Sequence, residues 1–250
     1  MGSLHAGHQR LLRRAAEPFA AQRPRVLLSV FVNPLQFGPG EDFERYPRDL
    51  EGDAALAAAA GADALFAPAA SVIYPDGPGE VTRVLAPASL QRELCGRSRP
   101  GHFDGVATVV CRLLALVRPD RLLLGEKDWQ QLVILRRVVA DLGLPLTVQG
   151  CATLREPAGL ALSSRNRYLD TSDLERAQAL PAALRTLGDA AADGSPAAPL
   201  LARVSERLRA AGLAIDYVQL VQAHTLRPLE QVKGLSLLAA AVHCGPARLI

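Results

Sequence analysis

The chain has 250 residues, a net charge of +3 at pH 7 and an aromatic content of 4%. This length suits one large or two small domains with a substantial core, and the composition is that of a globular protein. The small, evenly spread charge argues against nucleic acid as a partner, and no apolar stretch is long enough to cross a bilayer. The start carries no signal-peptide pattern and the four cysteines form no disulfide or metal-site spacing, so the cytoplasm is the expected location.

Apolar strands alternate with amphipathic helices through the first part of the chain. The pattern predicts helices over about 7–22, 50–60, 104–117 and 129–142, and strands over 25–32, 62–68, 121–124 and 144–151, with a short strand near 81–85. Such alternation predicts an α/β fold in which a parallel sheet has helices on both faces. Ligands bind at the carboxyl ends of such strands, so the residues that leave each strand are candidate site residues.

The pattern changes after about residue 165. Two helices, about 171–187 and 196–211, flank a stretch rich in glycine, alanine and proline, and strands follow at 215–221, 235–242 and 248–250. This order of elements predicts a smaller second domain of the α+β type.

The opening stretch M-G-S-L-H-A-G-H places two histidines at the start of the first helix. A helix N-terminus offers free N–H groups and a partial positive charge to phosphate, and Gly7 lets a ligand approach the backbone closely. His5 and His8 are then able to hydrogen-bond a phosphate and stabilise charge that develops during attack on phosphorus. The alternative is a capped, solvated helix start, and a metal site would need more ligands than two histidines.

The stretch G-E-K-D at 125–128 leaves one strand and opens the next helix. Lys127, one of only two lysines among 28 basic residues, is placed to reach phosphate oxygens. Glu126 and Asp128 are candidates to hold Mg²⁺, a ribose or the lysine itself. The alternative is a polar turn in which Asp128 caps the helix.

Two further groups of polar residues follow strands. In L-S-S-R at 162–165, Ser163, Ser164 and Arg165 are candidates to close on a triphosphate, and a surface loop is the alternative. Gln36 and Gln131 are able to read a polar small molecule, although each is also compatible with a surface position.

The stretch R-P-G-H-F-D-G at 99–105 brings Arg99 and His102 into a turn before a helix. The chain contains neither a phosphate-binding G-x-x-x-x-G-K-[ST] loop nor a G-x-S-x-G nucleophile motif. Cations, imidazoles and hydroxyls at successive strand ends fit nucleoside triphosphate binding with attack at phosphorus better than hydride transfer or acyl hydrolysis.

These motifs, in this order, resemble the pantothenate synthetase (pantoate–β-alanine ligase) family. The H-x-G-H element alone marks the wider nucleotidyltransferase superfamily. The more specific matches are F-V-N-P-L-Q-F, Y-P-R-D-L, R-P-G-H-F-D-G-V-A-T-V-V, G-E-K-D-W-Q-Q-L and G-L-A-L-S-S-R-N-R-Y-L, and the resemblance continues to I-D-Y-V-Q-L-V and A-R-L-I near the end.

The resemblance implies a Rossmann-like, doubly wound parallel sheet over residues 1–163 that binds ATP and pantoate. Residues 164–250 would form a smaller α+β domain with lid and dimer roles. The implied reaction begins when pantoate attacks the α-phosphate of Mg²⁺-bound ATP, giving pantoyl adenylate and pyrophosphate. The amine of β-alanine then attacks the acyl carbon, releasing pantothenate and AMP, in a cytoplasmic homodimer without nucleic-acid or membrane partners.

The resemblance also assigns roles to residues. It implies His8 as a proton donor, with His5 and Lys127 as further catalytic residues, and it implies no metal held by the protein alone. Gln36 would bind pantoate and β-alanine, and Gln131 would bind pantoate. The implied ATP-binding residues are Met1, Gly2, Ser3, Leu4, His5, Ala6, Gly7, His8, Gly125, Glu126, Lys127, Asp128, Leu154, Leu162, Ser163, Ser164 and Arg165.

One departure from the family pattern concerns the N-terminus. Members of the family carry a further segment before the histidine motif, including an apolar central strand, so the resemblance implies an N-terminally truncated chain whose first strand is missing and whose neighbouring strands have unpaired edges. Two alternatives stay open: another adenylylating ligase of the superfamily that uses a different acid, and a truncated, non-catalytic nucleotide-binding protein.

Overall fold

The computed structural model describes residues 2–18 and 22–250, apart from the side chains at positions 187, 189 and 190. The chain divides into two compact units: Met1–Pro87 with Arg99–Leu154, called the first unit below, and Ala88–Ser98 with Arg155–Ile250, called the second unit. The predicted domain division after residue 163 stays a prediction. Among the described residues, no helix has the length and apolar character needed to span a membrane.

The elements follow the predicted alternation. The helices are α1 (Ala6–Ala16), α2 (Leu50–Ala59), α3 (Ala70–Ile73), α4 (Leu94–Ser98), α5 (His102–Val117), α6 (Trp129–Asp141), α7 (Thr171–Ala177), α8 (Ala179–Ala190) and α9 (Ala197–Ala210). The strands are β1 (Leu27–Ser29), β2 (Ala64–Phe66), β3 (Arg121–Gly125), β4 (Thr147–Cys151), β5 (Ala214–Gln222), β6 (Ser236–Cys244) and β7 (Ala247–Leu249).

The first unit contains two parallel strand pairs. Strand β1 pairs with β2, and β3 pairs with β4 in a register that sets Gly125 opposite Cys151. Parallel neighbours need a crossover connection, which α2 and α6 provide. The predicted α/β class is therefore confirmed. Helix α1 packs through Leu12 beside Val26 and Ala57. It ends at Ala16, where Glu17 is already extended, so the predicted helix is too long at 17–18 and 22, and residues 19–21 lie outside the described residues.

The second unit holds a three-stranded antiparallel sheet in the order β5-β6-β7. Its helices cover a core that includes Val204, Leu208 and Val242, as the predicted α+β arrangement requires. The single helix predicted over 171–187 is instead two helices, α7 and α8. Pro181 explains the break, because it has no N–H to donate to the carbonyl of Ala177.

The strand predicted near 81–85 is wrong, since these residues form no strand. Side chains of α5, not a strand partner, accept the N–H of Val84 and the N–H of Ala86, which directly follows this stretch. The N–H of Val84 donates to Thr108 Oγ1 at 3.0 Å, and the N–H of Ala86 donates to Asp104 Oδ1 at 2.8 Å.

The start of α5 packs directly against the turn that follows β1. Asn33, only 1% exposed, donates from Nδ2 to the carbonyl of Gly105 at 3.1 Å, and its Oδ1 accepts from the hydroxyl of Tyr74 at 2.7 Å and the N–H of Leu35 at 3.2 Å. A Cβ at Gly105 would lie 2.1 Å from the carbonyl oxygen of Leu35. Glycine is therefore needed here for the helix to reach the turn that carries Gln36.

We expect Gly105→Ala to lower the free energy of unfolding by about 2–3 kcal/mol, because the added methyl meets backbone that cannot move aside cheaply. Urea-induced unfolding measures the change. Gly79→Ala is the matched control, since a Cβ there meets nothing within 4 Å. Equal unfolding midpoints for Gly105→Ala and the unmodified chain would contradict the expectation.

Candidate functional site

The opening segment of the chain is held in place by a buried carboxylate. Asp53 of α2, 2% exposed, accepts the N–H of Ser3 at 2.7 Å and the N–H of Leu4 at 2.6 Å. Gly2 and Ser3 have φ values of 101° and 56°, in the left-handed region. The carboxylate therefore fixes an unusual backbone path directly before the two histidines.

Those histidines begin α1 and cap it reciprocally. His5 Nδ1 accepts the N–H of Gly7 at 3.1 Å, and His8 Nδ1 accepts the N–H of His5 at 3.3 Å. The ring centroids lie 4.1 Å apart, so the spacing was correctly interpreted as placing both rings on one side of the first turn. Because Nδ1 is the acceptor in each ring, a neutral imidazole carries its proton on Nε2. The same arrangement thus caps the helix and presents the Nε2–H groups of the two histidines as donors.

The electrostatic surroundings keep His8 neutral. Burial lowers the pKa of His8 from 6.5 to about 3, and the neighbouring His5 is the second largest cause of this shift. The carboxylate of Asp128 acts in the opposite direction, and the ammonium of Lys127 acts in the same direction as burial. His8 therefore offers a hydrogen bond from a neutral ring at physiological pH, not an ionised imidazolium.

The G-E-K-D stretch lies where β3 ends and α6 begins. Glu126–Asp128 form a 3-10 turn, and Lys127 Nζ lies 3.8 Å from Asp128 Oδ1. The Lys127 side chain is 21% exposed and that of Asp128 is 50% exposed. Asp128 occupies the N-cap position of α6, as the alternative predicted, but its side chain makes no capping hydrogen bond. Strand β3 is joined to α1 by Arg121, whose Nη2 donates to the carbonyl of Ala15 at 3.3 Å.

Gln36 lies in a 3-10 turn (Pro34–Gln36) after β1. Its main-chain carbonyl lies 2.7 Å from His102 Nδ1, and its Oε1 accepts from Asn33 Nδ2 at 3.1 Å. Burial and the charge of Arg99 lower the pKa of His102 from 6.5 to about 4, while Asp128 acts to raise it.

The carboxylate of Asp128 acts to raise the pKa of both His8 and His102. Gln131 lies in the first turn of α6 and is half-buried. Of the predicted residues of the first unit, Gln36 follows β1 and Glu126–Asp128 follow β3, and each of these strands belongs to a parallel pair.

The other predicted residues stand as follows. Met1 lies outside the described residues, and Leu154 follows β4 at a half-buried position. Leu162–Arg165 belong to the second unit, where Ser163 Oγ accepts the N–H of Arg165 at 3.3 Å and caps a 3-10 turn. The role of all these residues in ATP binding stays a prediction.

Ser3 Oγ is buried without a hydrogen-bond partner among the described residues.

Two residues that hold the site, Asp53 and Asn33, were not identified as such from the sequence. Asp53 gives a faint signal as a carboxylate within the alanine-rich stretch that forms α2. Asn33 gives another, as one of only two asparagines in the chain. Neither signal identifies the groups to which Asp53 and Asn33 are hydrogen-bonded.

We expect Asp53→Asn to lower the free energy of unfolding by about 2 kcal/mol, because the amide NH₂ would face one of two N–H donors and leave it unpaired in a buried place. The exposed Asp76→Asn is the matched control and should leave stability unchanged. Denaturant unfolding monitors both variants. A wild-type stability for Asp53→Asn would show that the carboxylate does not hold the opening segment.

The lowered pKa of His8 also predicts how stability depends on pH. Between pH 6.5 and about 3 the unfolded chain binds a proton at His8 that the folded chain does not bind, so the free energy of unfolding falls as the pH falls through this window. In the middle of the window, His8→Asn, which retains an acceptor but does not titrate, should remove about 1.4 kcal/mol per pH unit of that slope. Unfolding curves at successive pH values measure it, with exposed His243→Asn as the control. An unchanged slope for His8→Asn would contradict a neutral, buried His8.

Comparison with known proteins places these features in a family. A family model described as pantoate-beta-alanine ligase matches residues 1–250. A bifunctional pantoate ligase/cytidylate kinase from Parasynechococcus marenigrum (strain WH8102) is 60% identical over 250 residues, covering 100% of this chain and 47% of the relative. One from Synechococcus sp. (strain CC9605) is 58% identical over 251 residues, covering 100% of this chain and 49% of the relative. The chain thus spans about half the length of the curated relatives it matches.

Solved structures resemble the chain over its full length. The pantothenate synthetase from Thermus thermophilus is 46% identical with a TM-score of 0.91, covering 100% of this chain and 88% of that chain. The pantoate-beta-alanine ligase from Francisella tularensis, complexed with beta-gamma ATP and beta-alanine, is 33% identical with a TM-score of 0.80, covering 100% of this chain and 85% of that chain. By its fold and by the family model that matches its whole length, this chain belongs to the pantoate-beta-alanine ligase family.

Proposed function

We propose that the chain catalyses the ATP-dependent condensation of pantoate with β-alanine to pantothenate. The reaction proceeds through pantoyl adenylate and releases pyrophosphate and then AMP. The observation that carries the proposal is the reciprocal histidine cap at the start of α1, where the charge of Lys127 acts on His8, in a chain whose whole length matches the family. The homologue with ATP and beta-alanine bound supports these two molecules as substrates.

In the first step, a carboxylate oxygen of pantoate attacks the α-phosphorus of ATP, and the bond to pyrophosphate breaks. A carboxylic acid is ionised at neutral pH, so the nucleophile needs no general base. The task of the protein is to align the reactants and to stabilise negative charge on the phosphate oxygens. The Nε2–H groups of His5 and His8 and the ammonium of Lys127 supply hydrogen-bond donors of this kind.

This assignment refines the proton-donor role that the resemblance implies for His8. With its pKa near 3, His8 is not an acid that gives up a proton at neutral pH. Its Nδ1 is occupied by the N–H of His5, which leaves Nε2–H as the donor. His8 therefore acts as a hydrogen-bond donor to phosphate.

In the second step, the neutral amine of β-alanine attacks the acyl carbon of the adenylate, forming the amide as AMP leaves and losing a proton. Gln36 would contact pantoate and β-alanine, and Gln131 would contact pantoate. The bond from Asn33 Nδ2 to Gln36 Oε1 fixes the orientation of the Gln36 amide. A fixed amide can discriminate a hydroxyl or carboxylate from an apolar group, since a mismatch would leave it unpaired.

We propose that Mg²⁺ enters with ATP. Among residues 2–18 and 22–250, no three His, Cys, Asp or Glu side chains are grouped to hold a metal ion. The described residues therefore fit an ion that is held mainly by phosphate oxygens and water, with the half-exposed Asp128 as a candidate carboxylate ligand. When bound, Mg²⁺ neutralises charge on the departing pyrophosphate. A cytoplasmic homodimer is the assembly that we propose from the family resemblance.

A single assay separates this function from its alternatives. The chain is incubated with ATP and pantoate, with and without β-alanine, and AMP, pyrophosphate and pantothenate are measured. AMP release and pantothenate formation that depend on β-alanine are expected. Adenylylation of other acids in preference to pantoate would indicate another ligase of the superfamily. A folded chain without affinity for ATP would contradict the proposal and favour a non-catalytic protein.

The two lysines provide a matched test of the phosphate site. Lys127→Ala should lower the rate of pantoyl adenylate formation about 100-fold to 1,000-fold, because it removes a charged donor from the site where charge develops. Lys233→Ala is the control, because Lys233 is exposed in the second unit. Single-turnover kinetics measure the rate. Similar rates for the two variants would exclude a role for Lys127 in stabilising phosphate.

A further inference from the structure

A charged network lies behind Gln36 in the first unit. Arg99 and Glu41 form a two-point ion pair, from Nε to Oε1 at 2.8 Å and from Nη2 to Oε2 at 2.6 Å. The two side chains are only 16% and 27% exposed. Burial alone would raise the pKa of Glu41, but its hydrogen bonds with Arg99 and the charge of Arg99 leave that pKa below its usual value. The pair is therefore ionised.

The remaining donors of Arg99 point to the same place. Its Nη2 donates to the main-chain carbonyl of Gln36 at 3.2 Å, and its Nη1 lies 3.0 Å from His102 Nε2. A guanidinium only donates, so His102 Nε2 is the acceptor and the imidazole proton lies on Nδ1. His102 Nδ1–H then donates to the same Gln36 carbonyl at 2.7 Å. Two donors thus meet at one oxygen, and the tautomer of His102 is determined by Arg99.

The geometry points to His102 and Arg99, braced by Glu41, as positioning residues that set Gln36 for the acid substrate. This inference rests on the proposed function. The network acts on the main-chain carbonyl of Gln36, while Asn33 holds Oε1 of its side chain. Gln36 is thereby held at both ends, and a small displacement of such a residue is costly for a reaction that depends on alignment.

The network is also better suited to fixing geometry than to adding stability. A buried ion pair recovers in attraction roughly what it loses in desolvation, so its net contribution to folding is small. The planar guanidinium of Arg99, in contrast, points each of its N–H groups in one fixed direction. Burial and Arg99 lower the pKa of His102 to about 4, so the donor at Nδ1 and the acceptor at Nε2 both persist at neutral pH.

Two substitutions of His102 separate positioning from packing. His102→Leu retains bulk but removes the donor, and we expect the KM for pantoate in pantoyl adenylate formation to rise about tenfold, the value of a hydrogen bond to a buried carbonyl. The KM for ATP should not change. His102→Asn places an amide N–H close to the position of Nδ1 and should restore most of the pantoate KM. The exposed His224→Leu is the control, and denaturant unfolding verifies that each variant is folded.

A second readout does not depend on activity. Nitrogen–proton NMR of the unmodified, full-length chain reports which ring nitrogen of His102 carries the proton. A proton on Nδ1 supports the network, and a proton on Nε2 or a doubly protonated ring overturns it.

The outcomes distinguish the two proposals. If the unmodified chain forms no pantoyl adenylate, the proposed function fails, and the NMR result decides whether the network exists. If the unmodified chain is active but His102→Leu leaves the pantoate KM unchanged, or if His102→Asn fails to restore a raised KM, the positioning role is wrong while the proposed function stands.

Discussion

The arrangement of the candidate site depends on one buried carboxylate. Asp53 accepts two adjacent main-chain N–H groups, and charge-assisted hydrogen bonds of this kind offset the cost of burying the charge. A Cβ at Gly2 would lie 3.1 Å from both Asp53 Oδ2 and a methyl of Val30, so the segment fits tightly between α2 and the residue after β1. Because this path ends at His5, the position of the first turn of α1 follows from a contact made by a different helix.

The bonds that start the helix also determine the chemistry of its histidines. Each Nδ1 accepts a backbone N–H, so each neutral ring keeps its proton on Nε2. Protonation at Nδ1 would break the cap, which adds to burial as a reason for the low pKa of His8. The same hydrogen bonds thus cap the helix and determine which ring nitrogen of each histidine carries the proton. A substitution at either histidine therefore changes both the cap and the donors.

Periodicity and local spacing predicted much of the molecule. The alternation of strands and helices, the helix start at His5 and the turn at Lys127 are short-range features, and the structure contains them. The strand near 81–85 was wrong, and the N–H of Val84 donates to the Thr108 side chain instead of to a neighbouring strand. Asp53 and His102 act on partners 50 and 66 residues away, respectively, and no local pattern announces such contacts. The second-unit residues Ser163–Arg165 were found by motif, but their ligand stays a prediction.

The charges around the neutral rings of His8 and His102 determine how the site would respond to a bound anion. Asp128 acts to raise the pKa of both His8 and His102, yet burial outweighs it in each case. A triphosphate beside His8 would add further negative charge and raise its pKa again. Taking up a proton, however, would require the reciprocal cap to open at Nδ1. The cap would therefore oppose ionisation beside a bound triphosphate, with Lys127 as a cation and the imidazoles as fixed dipolar donors. Such a site needs little rearrangement when charge develops at phosphorus, which is the condition for electrostatic stabilisation to be effective.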